Sequence, residues 1–263
     1  MKNYSQNHPY VFSLIIFFVG LLFAILVQLP TIPFSDQRGV ALIIEGFGRA
    51  FMSLPFIYLL SRFGWLKEAG FQFPKVKKVW LLVALVVPYL SASWILPIYK
   101  SLVINFPDML LGLGIIVSFF GGSLYEETIY RGVIQTTFYK KCAGDPKGVF
   151  KAVIVSALYF GISHLVGLAS GSNPILIIAM AIYSIGLGIF FSALLVYSKS
   201  IWPAIIAHWL LNCALNFLAR GLTNPSNKIF LIMSIIIIIA VLLLTVGAVR
   251  LLWLVTKNQV RNG

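Results

Sequence analysis

Apolar stretches of about 20 residues, the length a helix needs to cross the hydrocarbon of a bilayer, recur from one end of this chain to the other with only short connections between them. Eight are readable, at 11–29, 40–61, 79–98, 109–138, 150–169, 175–197, 201–219 and 229–255. Hydrophobic residues make up 60% of the sequence and charged residues 10%, whereas water-soluble domains carry about 25% charge. The expected fold is all-α: a polytopic integral membrane bundle of about eight transmembrane helices. Residues 1–263 read as one transmembrane domain, because the connections leave no room for a soluble one. The first stretch is longer than a signal-peptide core, and no small-residue cleavage site follows it, so it is expected to be retained.

The net charge of +13 belongs with this picture, since lysine and arginine collect on the cytosolic flanks of membrane helices. Eight spans put both termini on one side. That side takes Lys2, Arg62, Lys67, Lys75, Lys77, Lys78, Lys140, Lys141, Lys147, Lys151, Lys199, Lys257 and Arg261, against Arg38, Lys100, Arg220 and Lys228 on the other. The sequence therefore predicts a multi-pass cell-membrane protein with both termini cytosolic. No arginine-rich run with interleaved aromatics suggests a nucleic-acid surface; the lipid bilayer is the expected partner. Two cysteines make no disulfide framework: Cys142 falls in a lysine-rich loop and Cys213 inside an apolar helix.

Ionisable side chains inside membrane helices cost at least about 2.5–3.5 kcal/mol at mid-bilayer and normally have a partner or a task. The fourth stretch contains Glu126, Glu127 and Arg131, the fifth His164, the seventh His208 and Asn212, and the second Glu45 and Arg49. Residues four apart share a helix face, and adjacent ones point about 100° apart. Glu127 is thus expected to pair with Arg131, and Glu45 with Arg49 as a neutralised structural pair. Glu126 keeps no partner on its own helix. His208 and Asn212 share one face, and Cys213 turns away from it. By rise per residue, Glu126 and His164 lie about 20 Å from the lysines that end their helices, with His208 and Asn212 at roughly 10–18 Å.

Such a set suits hydrolysis. A carboxylate beside an imidazole can take a proton from water and return it to a leaving amine, a role that fits Glu126 with His164. A second imidazole and an amide can stabilise a developing oxyanion, which fits His208 with Asn212. The inferred reaction is intramembrane hydrolysis of a peptide bond by activated water, with no metal or cofactor.

The same residues resemble the CAAX protease and bacteriocin-processing family, also called the Abi family, which includes the type II CAAX prenyl endopeptidases. Its motifs, Glu-Glu-x-x-x-Arg, Phe-x-x-x-His and His-x-x-x-Asn, appear in order as Glu126, Glu127 and Arg131, then Phe160 and His164, then His208 and Asn212. The resemblance covers about residues 110–219 and implies a glutamic intramembrane endopeptidase. Its catalytic residues would be Glu126, His164, His208 and Asn212, with Glu127, Arg131 and Phe160 supporting the site. The substrate would be a membrane-associated peptide or protein, a bacteriocin or pheromone precursor or a CAAX-like chain.

Three alternatives share these residues. Glu126, His164 and His208 could form the two-histidine, one-carboxylate set of a zinc protease, although no His-Glu-x-x-His run is present. Intramembrane ionisable groups also serve proton-coupled transporters, although no repeated halves are visible. A bacteriocin immunity protein could bind a peptide without cutting it.

Overall fold

The computed structural model describes residues 1–95, 108–142, 145–170, 173–219 and 227–261, and regular structure among the described residues is helical throughout. The helices are α1 (Lys2–Asn7), α2 (Pro9–Leu26), α3 (Arg38–Phe63), α4 (Val79–Ile95), α5 (Met109–Glu127), α6 (Thr136–Lys141), α7 (Pro146–Ser163), α8 (Pro174–Ser198), α9 (Trp202–Ala219) and α10 (Asn227–Arg261). Short 3-10 turns follow α2 (Leu29–Phe34) and α7 (His164–Ser170), and a π-helical segment (Thr128–Gln135) joins α5 to α6.

Local sequence signals set the ends. The side chains of Asp108, Asp145 and Asn173 accept hydrogen bonds from the first-turn amides of Leu111, Lys147 and Ile175, at 2.9, 2.9 and 3.0 Å. These caps satisfy donors that a helix start would otherwise strand. Pro146 and Pro174 open their helices, where proline loses nothing. Gly64 closes α3 in the left-handed conformation at φ 70°, as glycine readily does.

The bundle is apolar outside as well as in its core, and it encloses a few charged side chains. Phe47, Phe51, Leu54 and Tyr58 of α3, and Ile235, Ile239, Leu242 and Val246 of α10, are exposed, whereas Glu127 and Arg131 are fully buried. An apolar exterior of this kind suits lipid rather than water. Among the described residues, six helical stretches are long and apolar enough to cross a membrane: Pro9–Phe34, Arg38–Phe63, Met109–Lys141, Lys147–Ala169, Pro174–Ser198 and Ile235–Lys257. The protein is a helical membrane bundle, and six of the eight expected spans are matched among the described residues. The stretch 79–98 gives a shorter apolar helix, Val79–Ala92, with Pro88 inside it. Residues 96–98 of that stretch, with Lys100 and Arg220, lie outside the described residues. The stretch 201–219 folds as α9.

One helix crossing positions the site. Gly39 and Gly46 of α3 face Gly114 and Gly121 of α5, and a Cβ at any of the four would collide with the partner helix, mostly with its backbone. Membrane helices pack this closely where small residues line the seam. The contact brings Glu45 and Arg49 of α3 against the end of α5.

Candidate active site

Five helices and the π segment converge on one cluster of charges. Glu127 and Arg131 pair at 3.1 Å, both with fully buried side chains. Oε1 of Glu127 also lies 2.9 Å from Nδ1 of His208 on α9. A carboxylate only accepts hydrogen bonds, so Nδ1 is the donor and Nε2 is the ring atom left for other work. Nε2 lies 3.7 Å from Glu126 Oε2, and Glu126 Oε1 lies 3.9 Å from Arg49 Nη1. Arg49 is in turn 2.6 Å from Glu45, which accepts further hydrogen bonds from Gln28 at 2.9 Å and Ser118 at 3.3 Å. Glu126 has no partner on its own helix, as its spacing predicts, but α3 and α9 each bring a basic side chain to it.

Arg131 has little else to hold it. Its guanidinium lies 4.4 Å from the centre of the Phe160 ring and 5.4 Å from that of Phe191, within the range of cation–π attraction. Gly188 leaves the space, since a Cβ there would crowd the guanidinium and the Ala157 backbone. Among the described residues, Glu127 Oε2 and the Arg131 nitrogens lack well-aligned hydrogen bonds despite the 3.1 Å approach. The pair is joined mainly by charge.

Phe160 serves three neighbours at once. Besides meeting Arg131, its ring edge meets the rings of His164 and His208, at 5.0 and 5.5 Å between centroids. Its carbonyl accepts from Nδ1 of His164 at 2.9 Å. A carbonyl cannot donate, so this bond leaves Nε2 of His164 as the acceptor in the neutral ring. His208 is clamped on its other side by Phe191, stacked at 5.1 Å and 20°.

The π-helical segment was not foreseen. The apolar pattern of 109–138 predicts one α-helix, whereas the turn widens from Thr128 to Gln135, and all eight residues are buried. Such bulges occur often at functional sites. Ser156 of α7 donates to the Tyr130 carbonyl at 2.8 Å, occupying an acceptor within the widened turn.

A cavity of about 360 Å³ opens beside this cluster, lined by Glu126, His164, Arg49, Gln28, Tyr125 and Tyr130 among others. Glu126 is about one-quarter exposed, and Glu127 is sealed. Helix α2 forms the opposite wall, where the Tyr125 hydroxyl donates to the Gly20 carbonyl at 2.5 Å. Glu126 and His164 therefore share a cavity without a direct ion pair among the described residues. Asn212 sits one turn from His208, half-buried, and among the described residues makes no hydrogen bond with the cluster. Nor do three histidine, cysteine or carboxylate side chains group closely enough among them to hold a metal ion.

With this geometry in hand, residues 108–214 match the family model described as "Rce1-like: Type II CAAX prenyl endopeptidase Rce1-like". That segment is similar to the type II CAAX prenyl endopeptidases. The family implies protease activity in a membrane protein. No curated protein and no solved structure gives a significant match to the chain. Several contributors to the site lie outside the matched segment: Arg49 and Glu45 on α3, Gln28, and the α2 wall. The sequence signal for Arg49 was its place inside a membrane helix, but its spacing from Glu45 made the pair look closed.

Proposed function

We propose that the protein is a glutamic intramembrane endopeptidase that cuts a membrane-associated peptide or protein by activating water at Glu126 and His164. What carries this reading is one observation: Glu126, alone of the two adjacent glutamates, reaches a cavity that His164 also lines. Water between them would give its proton to Glu126, and the oxygen would attack the peptide carbonyl. The resulting oxyanion would accept a hydrogen bond from His208 Nε2, and from Asn212 once substrate is bound. Glu126 would then pass its proton to the leaving nitrogen as the carbon–nitrogen bond breaks.

The charges support His208 in that role. Glu45, Glu126 and Glu127 set three negative charges against Arg49 and Arg131. In that role His208 would keep Nδ1–H on Glu127 and turn Nε2 toward the oxyanion. Glu127 and Arg131 position the ring, and Phe160 supports both histidines. A membrane-bound bacteriocin or pheromone precursor, or a CAAX-like chain, is the proposed substrate class, and the reaction needs no metal.

The test is the purified full chain incubated with candidate precursor peptides, with products identified by mass spectrometry and bound metal measured. Cleavage lost in Glu126→Gln and insensitive to chelators is expected. Intact peptide bound but uncut would identify an immunity-type binder, and one zinc per chain with chelator-sensitive cleavage would identify a zinc protease.

A further inference from the structure

A second cavity, about 330 Å³, lies at the lysine-rich end of the bundle and shares no lining residue with the first. It is a built site. The loop before α4 is stapled to the turn after α8: Ile201 N–H donates to the Gly70 carbonyl at 2.9 Å, and Lys75 N–H to that of Ser198 at 3.1 Å. Gln72 Nε2 donates to the Lys199 carbonyl at 2.9 Å, and Ser200 Oγ to that of Gln72 at 2.6 Å. These bonds hold Lys199 in the left-handed region at φ 58°, which a side chain with a Cβ seldom adopts.

The lining has a marked polarity. Lys67, Lys75 and Lys199 face it, while its one carboxylate, Glu68, is taken by Lys140. Neither Lys75 nor Lys199 has an ion-pair partner among the described residues. Burial, with Lys75 adding to it, holds the Lys199 ammonium below its usual range. At the wall, Gln135 is 4% exposed, and its Oε1 has no hydrogen-bond partner among the described residues. A buried acceptor left unpaired bears its whole desolvation cost. Among the described residues, the cavity thus offers the unpaired ammonium groups of Lys75 and Lys199 beside Lys67, together with the unpaired acceptor of Gln135.

We infer that this cavity binds a phosphate-bearing headgroup that also carries a hydroxyl or amine hydrogen: phosphate against Lys75 and Lys199, the donor onto Gln135 Oε1. Phosphatidylglycerol has both features, and sn-glycerol 3-phosphate presents them in soluble form. Phosphatidylcholine has the phosphate and no donor. The inference is independent of the proteolytic reading.

Native mass spectrometry of the detergent-solubilised full chain, titrated with phosphatidylglycerol, tests it. Lys75→Gln with Lys199→Gln should weaken binding by about tenfold, the scale of a lost charge-assisted contact. The control Lys2→Gln with Lys257→Gln should bind as the native chain does. Gln135→Leu should also weaken binding while its melting temperature holds or rises, because an orphaned acceptor is removed. Phosphatidylcholine should bind more weakly than phosphatidylglycerol. Competition by sn-glycerol 3-phosphate would assign the site to a soluble ligand, and its failure to compete to the lipid. Equal binding by the native chain and the Lys75/Lys199 variant, or equal losses in both double variants, overturns the site. So does a Gln135→Leu chain that melts early and binds normally.

Discussion

Nδ1 of His208 and Oε1 of Glu127 meet at 2.9 Å inside the bundle, with the histidine nearly buried and the carboxylate fully so. The contact ties α9 to the end of α5 and orients the imidazole so that Nε2 faces Glu126. It also gives Glu127 two basic neighbours, Arg131 and His208. Two adjacent glutamates thus have different neighbourhoods, one sealed and one open to a cavity.

Glu126→Gln is expected to fold normally and to lose activity by about 10²–10⁴-fold, the usual share of general acid–base catalysis. Glu127→Ala should instead lose stability first, by about 3–5 kcal/mol, because it leaves a buried guanidinium unpaired. Thermal melts alongside peptide cleavage separate the two. A stable Glu127→Ala chain with full activity would falsify this division.

Arg49 is expected to position Glu126 from outside the matched segment 108–214. Arg49→Gln removes the ion-pair partner 3.9 Å from the carboxylate, so cleavage should fall while the fold persists. Arg49→Lys should recover part of the native activity. Unchanged cleavage in Arg49→Gln would remove Arg49 from the site.

The crossing of α3 and α5 depends on glycine. Gly46→Leu or Gly121→Leu should force the helices apart and cost about 1–3 kcal/mol or more by overpacking, with loss of activity as Arg49 leaves Glu126. Leucine at Gly247, where an added Cβ meets nothing within 4 Å, is the control. Equal melting temperatures for seam and control variants would show that the close approach is dispensable.

The lysine-rich end is proposed to face the cytosol. On a background lacking Cys142 and Cys213, a cysteine at Val76 should resist a membrane-impermeant thiol reagent in intact cells, and one at Gln37 should react. The opposite pattern reverses the topology.

By itself, the sequence determined that this chain is a helical membrane protein. Apolar length and scarce charge leave no other economical fold, and that signal is local. It also determined the Glu127–Arg131 and Glu45–Arg49 pairs, because four-residue spacing on a helix fixes proximity without knowledge of the rest. Tertiary structure alone decided the cluster. Whether Arg49 meets Glu126 depends on how closely α3 crosses α5, and whether His208 meets Glu127 depends on how α9 is rotated; helix periodicity carries neither quantity. The π-helical turn at Thr128–Gln135 was likewise invisible, because its residues would suit an α-helix and only packing against α7 and neighbouring elements favours the wider turn. The cavity at Glu126 needs the wall of α2, more than a hundred residues earlier. Spacing along one helix is a property of the chain, whereas contact between helices is a property of the bundle.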